Sequence, residues 1–529
     1  MKAWLKQVVL MLMVVSTFLS GCTAMDAENT TLSGDETTQT SEETANETDE
    51  PGEPVTLWVY TPFSIKEGTA PYDDRLFHQI ERWEYQFEQQ HQNVDVVFEN
   101  TIAEERLQVE LMAGKGPDVF LMPASKTWNF SNSPCDFQLL IEDVNLAMRN
   151  GLFADISEFY EEDEALGKDA LLQEVMDAGV FEDGRYVLPL RFNMLTAYVD
   201  AEAFAETGLR TGMFEEGIIA IWEAMAQHGD SLTASSATIK GSENNFLNLI
   251  GDLIDYDNQE VLLTKEQLVE FLRAYQEFVI ASIGSQQAEH THMGDYYQSV
   301  TNGNQLSPIW FKTGHCMFIG DLDTAIANAV VAEAEGIDLE MYPIRATDGS
   351  VVADITFYGA VGAGCDHPEL AYEFLRYFLT EESQWEENPG RIYQRGSHQH
   401  VWRYEDLIAD GWPVRVKGSV AALNTSLKKQ ILAIRWLGKE KVTTADYLVN
   451  DPDSFIPILS TKIDEVRFPT GQDKTFWDLM GASYWVSYNQ DPGWWDLTPE
   501  EKAEFARNMD LEVMAEEFIE DLEWHVGEG

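Results

Sequence analysis

Histidines, carboxylates and cysteines are the side chains through which this chain would do chemistry, and their spacing decides what chemistry is open to it. His290 and His292, and again His398 and His400, stand two residues apart, a spacing that can serve a divalent metal. Neither pair has a cysteine or a regularly spaced carboxylate beside it, so no metal site and no cofactor are expected. Asp255-Tyr256-Asp257-Asn258 opens like a calcium loop. Gln259 at the fifth position and Glu260 in place of the glycine break that pattern. Cys135, Cys316 and Cys365 lie in no CxxC or Cys/His arrangement, and their odd number leaves at least one free thiol. They are expected to be small buried hydrophobes. No G-x-S-x-G, H-E-x-x-H or Walker segment occurs. With 92 Asp and Glu residues, carboxylate pairs suited to glycoside hydrolysis can be found at any spacing, so that chemistry stays open.

Cys22 is the one cysteine with a chemical context. Two lysines in residues 1–6 precede the apolar run from Val8 to Leu19. That run is too short to span a bilayer and has the layout of a secretory leader. It ends in Leu19-Ser20-Gly21-Cys22, which looks like the lipobox of bacterial lipoproteins. The likeness implies cleavage before Cys22 and a diacylglycerol on its sulfur. Two acyl chains are enough for stable anchoring. Residues 1–21 are therefore expected to be a signal peptide, and the mature chain to be lipid-anchored on the extracellular face of the cytoplasmic membrane. Residues 22–54 follow as an acidic tether: Thr23 to Pro54 holds ten acidic residues and no Lys or Arg.

The charge balance excludes other partners. Against 34 Lys and Arg the 92 acids give a formal net charge of −58, and phosphate backbones need clustered cations. Nucleic acid is excluded as a partner, as is electrostatic attraction to anionic lipid. A hydrophobic content of 44% over 529 residues is ample for sizeable cores, and four cysteines are too few for a disulfide-built scaffold.

Alternating strand and helix signals position whatever site exists. Val55 to Tyr60 reads as a buried strand; Leu76, Ile80, Trp83 and Phe87 share one helix face. Val94 to Phe98 is a second strand, Glu104 to Met112 a helix, and Val119 to Met122 a third strand. That order predicts an α/β fold with a parallel sheet. Further strands are expected at Leu195–Val199, His315–Ile319, Ile337–Tyr342 and Thr356–Val361. Residues 215–280 read as mostly helical, with Leu268, Phe271, Leu272, Tyr275 and Phe278 on one buried face. Asp366 is expected to cap the helix that starts at Pro368. Thr498-Pro499-Glu500-Glu501 reads as a capping box, and Leu511, Met514, Phe518 and Leu522 as the stripe of the last helix.

In that order the segments VTLWVYTP, LMAGKGPDVFLMP, DGRYVLPLRFNMLTAYVDAEAFAETGL and GHCMFIGDLD, the last followed by FYGAVGAGCDHPELAYEFLRYFL, resemble the family 1 extracellular solute-binding proteins of bacterial ABC importers. The likeness runs from residue 55 to about 385. Val199-Asp200 departs from the Tyr-Asn usual there, and the Trp-heavy stretch Phe476 to Trp495 is longer than in the family. The resemblance implies two α/β lobes joined by crossover strands, with the solute in the cleft between them and hinge closure as the mechanism. Carried over, lobe 1 takes residues 55–190 and 321–383, and lobe 2 takes 191–320 and the helical 384–529. Candidate cleft residues are those leaving strands: Tyr60, Thr61 and Phe63; Ser125, Lys126 and Trp128; Arg191 and Asn193; Asp321 and Asp323; and Tyr358, with Trp310 on the lobe 2 wall. Aromatic faces with hydroxyls, amides, carboxylates and Arg suit a carbohydrate. The implied partners are a small solute and an ABC permease, the implied state a monomer, and no catalytic residue is assigned. A surface-anchored hydrolase and a binder of non-sugar solutes are the alternatives.

Overall fold

In the computed structural model of the chain, the residues described are 54–61, 83–99, 107, 110–111, 113–124, 140–227, 239–240, 247–256, 258–289, 317–322, 338–380, 383, 412–415, 462–470, 472, 476 and 497–528. Cys22, Phe63, Ser125, Lys126, Trp128, Trp310 and Asp323 lie outside them, as do Cys135, Cys316, all four paired histidines and most of the Trp-heavy stretch.

Three apolar runs form the parallel strands β1 (Val55–Tyr60), β2 (Val94–Glu99) and β3 (Val119–Pro123), in the order β2-β1-β3. Asp118 sets the entry to β3: its carboxylate accepts the Trp58 N–H at 2.8 Å and its own N–H donates to Trp58 O. Residues 83–90 are helical, and Trp83 stacks on Tyr377 at 4.1 Å while its Nε1–H donates to Phe374 O. The chain continues through α1 (Val144–Arg149), capped by Asp143, to the fourteen-residue strand β4 (Val187–Asp200). Helix α2 (Ile218–Gln227) and short strands β5 (Ile239–Lys240), β6 (Ile254–Asp255) and β7 (Glu260–Val261) precede α3 (Lys265–Glu289). Then come β8 (Met317–Asp321), β9 (Leu339–Pro343), β10 (Val352–Val361), α4 (Pro368–Arg376), β11 (Trp412–Pro413) and β12 (Glu465–Arg467). The chain closes with α5 (Pro499–Arg507) and α6 (Leu511–Glu528).

Two hydrophobic cores result, and β4 belongs to both. Leu188, Leu190, Phe192 and Met194 pack in the first core with β1, β3, β10 and α4. Leu195, Ala197 and Val199 pack in the second with α2, α3 and α6. The core that β4 serves thus changes between Met194 and Leu195. Its pairing switches at the same place: β10 runs antiparallel to its first half, while β8 and β9 run antiparallel to its second half. The full order is β2-β1-β3-β10-β4-β8-β5, a mixed sheet rather than the all-parallel one expected. The architecture is α/β with two lobes joined by one continuous strand.

Asn193 fastens the crossover. Its side chain is buried, and Oδ1 accepts both the Met194 N–H (2.8 Å) and the Leu322 N–H (3.0 Å), tying the exit of β8 to β4 where the cores meet. The lobe boundaries follow these packing facts. Along β4 the change of core falls between Met194 and Leu195. Residues 339–344, expected with lobe 1, pair or pack with the second core, because β9 is laid on the far half of β4. Trp412, Val414, Ile463 and Phe468, expected with lobe 2, are buried in the first core.

Other expectations meet local chemistry. The Thr498–Glu501 capping box forms with both reciprocal bonds, at 3.2 and 2.7 Å. Leu268, Phe271, Leu272, Tyr275 and Phe278 are all buried. Met514 is only half-buried, and Ala515 takes the inner position beside it. Asp366 does not cap α4; His367 holds the N-cap position without a side-chain bond, and Pro368 at N1 removes a donor that would otherwise need one. Residues 254–261 form a hairpin within the stretch expected to be helical. Asp255 accepts the Asn258 N–H and the Asn258 amide at its turn, which commits the carboxylate that a calcium loop would need. Cys365 is a free, half-buried thiol whose pKa burial pushes up to about 12.

Two stability predictions follow from the junction. Asn193→Ala strands two buried backbone N–H groups and should cost about 2–4 kcal/mol by urea unfolding. Glu465, at the start of β12, has a carboxyl pushed up to about 7 by burial first and then by Asp252, Asp348 and Asp464. The folded state therefore keeps a proton that the unfolded chain releases above its ordinary 4.5, and stability falls as pH rises from about 4.5 to about 7. Glu465→Gln should flatten that decline in thermal melts and stabilise at pH 8, by on the order of 1 kcal/mol after discounting for solvent screening.

Candidate functional site

Strand direction places the site. β1 and β3 run toward the crossover, and β4 runs with them until it enters the second lobe. From the other side, Asp321 at the end of β8 lies opposite Leu195, and Pro343 at the end of β9 lies opposite Thr196. β5, parallel to β8, ends level with Gly320. The carboxyl ends of β3, β8 and β9 therefore converge on residues 191–196 of β4, while β1 ends earlier, Tyr60 pairing with Phe120, which lies level with Val187 through Ala360. In open α/β sheets the crevice outside such ends is where ligands bind, and two lobes meeting there make it a cleft between domains.

Buried polar side chains gather at this level of the sheet, where an apolar core would have none. Arg191, Asn193, Thr196, Asp354 and Thr356 are all at most 9% exposed. Asp354 of β10 lies opposite Asn193 of β4, and its carboxylate pairs with Arg467 of β12 at 3.3 Å. Thr196 Oγ1–H donates to Met194 O at 3.2 Å, across the switch point of the two cores. Thr356 O accepts the Ala124 N–H and so holds the exit of β3 against β10. Buried polar atoms need partners, and most of these have them. Thr61, first after β1, is the exception: it is fully buried, and its hydroxyl has no hydrogen-bond partner among the described residues.

The sequence candidates divide accordingly. Thr61 stands at the carboxyl end of β1, with buried Tyr60 beside it. Arg191 lies opposite Phe357 and Pro413, and is buried. Asn193 has its carbonyl oxygen committed to two backbone donors, so it serves the crossover itself. Asp321 ends β8 at the junction. Tyr358, expected near the cleft, is instead fully buried in the first core against Phe153 and Phe468. Burial raises the pKa of its phenol, and the hydroxyl donates to Met122 Sδ at 3.8 Å. Phe63, Ser125, Lys126, Trp128 and Asp323 follow β1, β3 and β8 in the sequence and lie outside the described residues. Sequence reasoning passed over Asp354 and Thr356. Their signal was there, two polar residues inside the apolar run VADITFYGAV. Arg467 carried no such signal. Among the described residues no group of three metal-ligating side chains occurs.

The chain was compared with known proteins. No curated protein sequence matches it. Among solved structures it is similar to an extracellular solute-binding protein family 1 member from Alicyclobacillus acidocaldarius subsp. acidocaldarius DSM 446, at 12% identity over 90% of this chain and 100% of the other, TM-score 0.46. It is also similar to an ABC substrate-binding protein from Listeria monocytogenes solved with cycloalternan, at 13% identity over 90% and 100% of the two chains, TM-score 0.45. The GacH receptor of Streptomyces glaucescens GLA.O, solved unliganded and with acarbose, shares 14% identity over 88% and 99%, TM-score 0.43. The family described as bacterial extracellular solute-binding protein matches residues 85–386, more than half of the chain. With a continuous match of that length, and strand ends of two lobes meeting at one cleft, the protein belongs to the bacterial extracellular solute-binding proteins.

Proposed function

We propose that the protein is the solute-capturing component of an ABC importer, that it takes a sugar or oligosaccharide, and that it delivers the sugar by hinge closure to the membrane permease. The observation that carries this reading is the convergence of strand ends from both lobes on one buried polar junction. A cleft of that kind closes by rotation about the strands that cross it, and the permease then distinguishes closed from open. Anchoring through a lipid on Cys22, with residues 22–54 as tether, would keep the monomeric protein at the outer face of the membrane.

The sugar assignment rests on chemistry. In the sequence Tyr60, Phe63 and Trp128 supply rings, and Thr61, Ser125, Lys126, Asp321 and Asp323 polar groups, at or after the ends of β1, β3 and β8, and pyranose rings present C–H faces and hydroxyls to such sets. Thr61 supplies a buried hydroxyl with no hydrogen-bond partner among the described residues. Arg191 and Asn193 hold the crossover against which the solute would close. The protein binds without turnover in this account, so the solute is recovered unchanged.

A thermal-shift panel of mono- and oligosaccharides, amino acids, peptides and polyamines tests the reading. One sugar class should stabilise the fold by about 2.7 kcal/mol at a hundredfold excess over its dissociation constant. A shift with non-sugar solutes alone would remove the sugar assignment, and sugar cleavage on incubation would replace binding with hydrolysis. Thr61→Val should weaken that solute about tenfold by calorimetry, because a neutral hydrogen bond of about 1.4 kcal/mol is lost. Its stability without solute should hold or rise, since a buried unpaired hydroxyl is removed.

A further inference from the structure

A second contact joins the lobes through Asp143. Asp143 is the N-cap of α1, which packs in the first core through Val144, and its side chain is 4% exposed. Oδ1 serves its own helix by accepting the Leu146 N–H at 3.0 Å. Oδ2 serves the other lobe. The Tyr256 hydroxyl donates to it at 3.0 Å from the hairpin β6–β7, and His525 Nε2 lies 2.8 Å away on α6. Both partners are carried by the second lobe: Ile254 beside Tyr256, and Phe518 and Leu522 before His525, pack in the second core. Arg149, one turn along α1, donates to Tyr256 O, so the same residue is gripped at its backbone and at its hydroxyl. Tyr256 is desolvated enough that burial first, and Asp143 second, raise its phenol well above the usual range.

Three donors on one buried carboxylate, drawn from two bodies, are more than α1 needs. An N-cap requires one oxygen, and Asn or Ser would supply it. The second oxygen is spent only on holding the lobes in this mutual arrangement. If the lobes rotate about β4, as the proposed function requires, this contact must break and re-form with each cycle. A charge-assisted bond between moving bodies then sets their equilibrium.

We propose that Asp143, Tyr256 and His525 form an interlobe clasp that biases the solute-free protein toward this arrangement of its lobes, and so tunes its apparent solute affinity. The inference rests on the hinge-closure reading, and its test uses no solute, so failure to find a solute leaves it readable. Asp143→Asn keeps an oxygen for the α1 cap and removes the charge that holds the clasp. Small-angle scattering of the solute-free mature protein should then show a changed radius of gyration, with the lobe equilibrium shifted about tenfold. Tyr256→Phe, which loses one hydroxyl and little packing, should shift it in the same direction by a smaller factor, and keeps the test available if the first variant does not fold. An unchanged radius of gyration in folded variants, with only the melting temperature lowered, would make these contacts ordinary structural bonds and overturn the clasp.

Discussion

One strand serving two cores is the constraint on which the rest of the molecule depends. β4 buries Leu190, Phe192 and Met194 in one lobe and Leu195, Ala197 and Val199 in the other, with no break in its backbone. A strand interior cannot be cut without losing ladder hydrogen bonds that buried peptide groups require. The lobes are therefore joined covalently and by pairing at the same place, and relative motion is confined to twist and bend about that crossing.

The switch point between Met194 and Leu195 is flanked by buried polar side chains as well as apolar ones. Asn193, Thr196, Asp354 and Arg467 fill it with bonds that are directional, in contrast to apolar packing, which is not. Asn193 binds Leu322 to β4, so the second crossing of the chain is fixed to the first. Asp143 adds a second contact shared by both lobes, through Tyr256 and His525.

Much of this fold is legible in the residues, for reasons that differ by element. The apolar runs Val55–Tyr60 and Val119–Pro123 read as buried strands because both faces of a covered sheet are apolar. The Thr498 capping box is visible because it is a purely local exchange of two bonds. What depends on distant partners is not legible. The continuity of β4 across Pro189 was hidden because proline ordinarily ends a strand. The register lets Tyr358 face it, where no donor is needed. Tyr358 read as a cleft residue and is a core residue, since its facing partners Met122 and Phe468 lie far off in sequence. The interlobe role of Asp143 was equally silent, its partners standing more than a hundred residues away.

A crystal structure of the protein grown with the solute that stabilises it tests the central claim most directly. The account predicts solute density enclosed between the two cores, within hydrogen-bond reach of Thr61 Oγ1 and bounded by the segments leaving β1, β3 and β8. Solute held on one lobe alone, away from the β4 crossing, would contradict it.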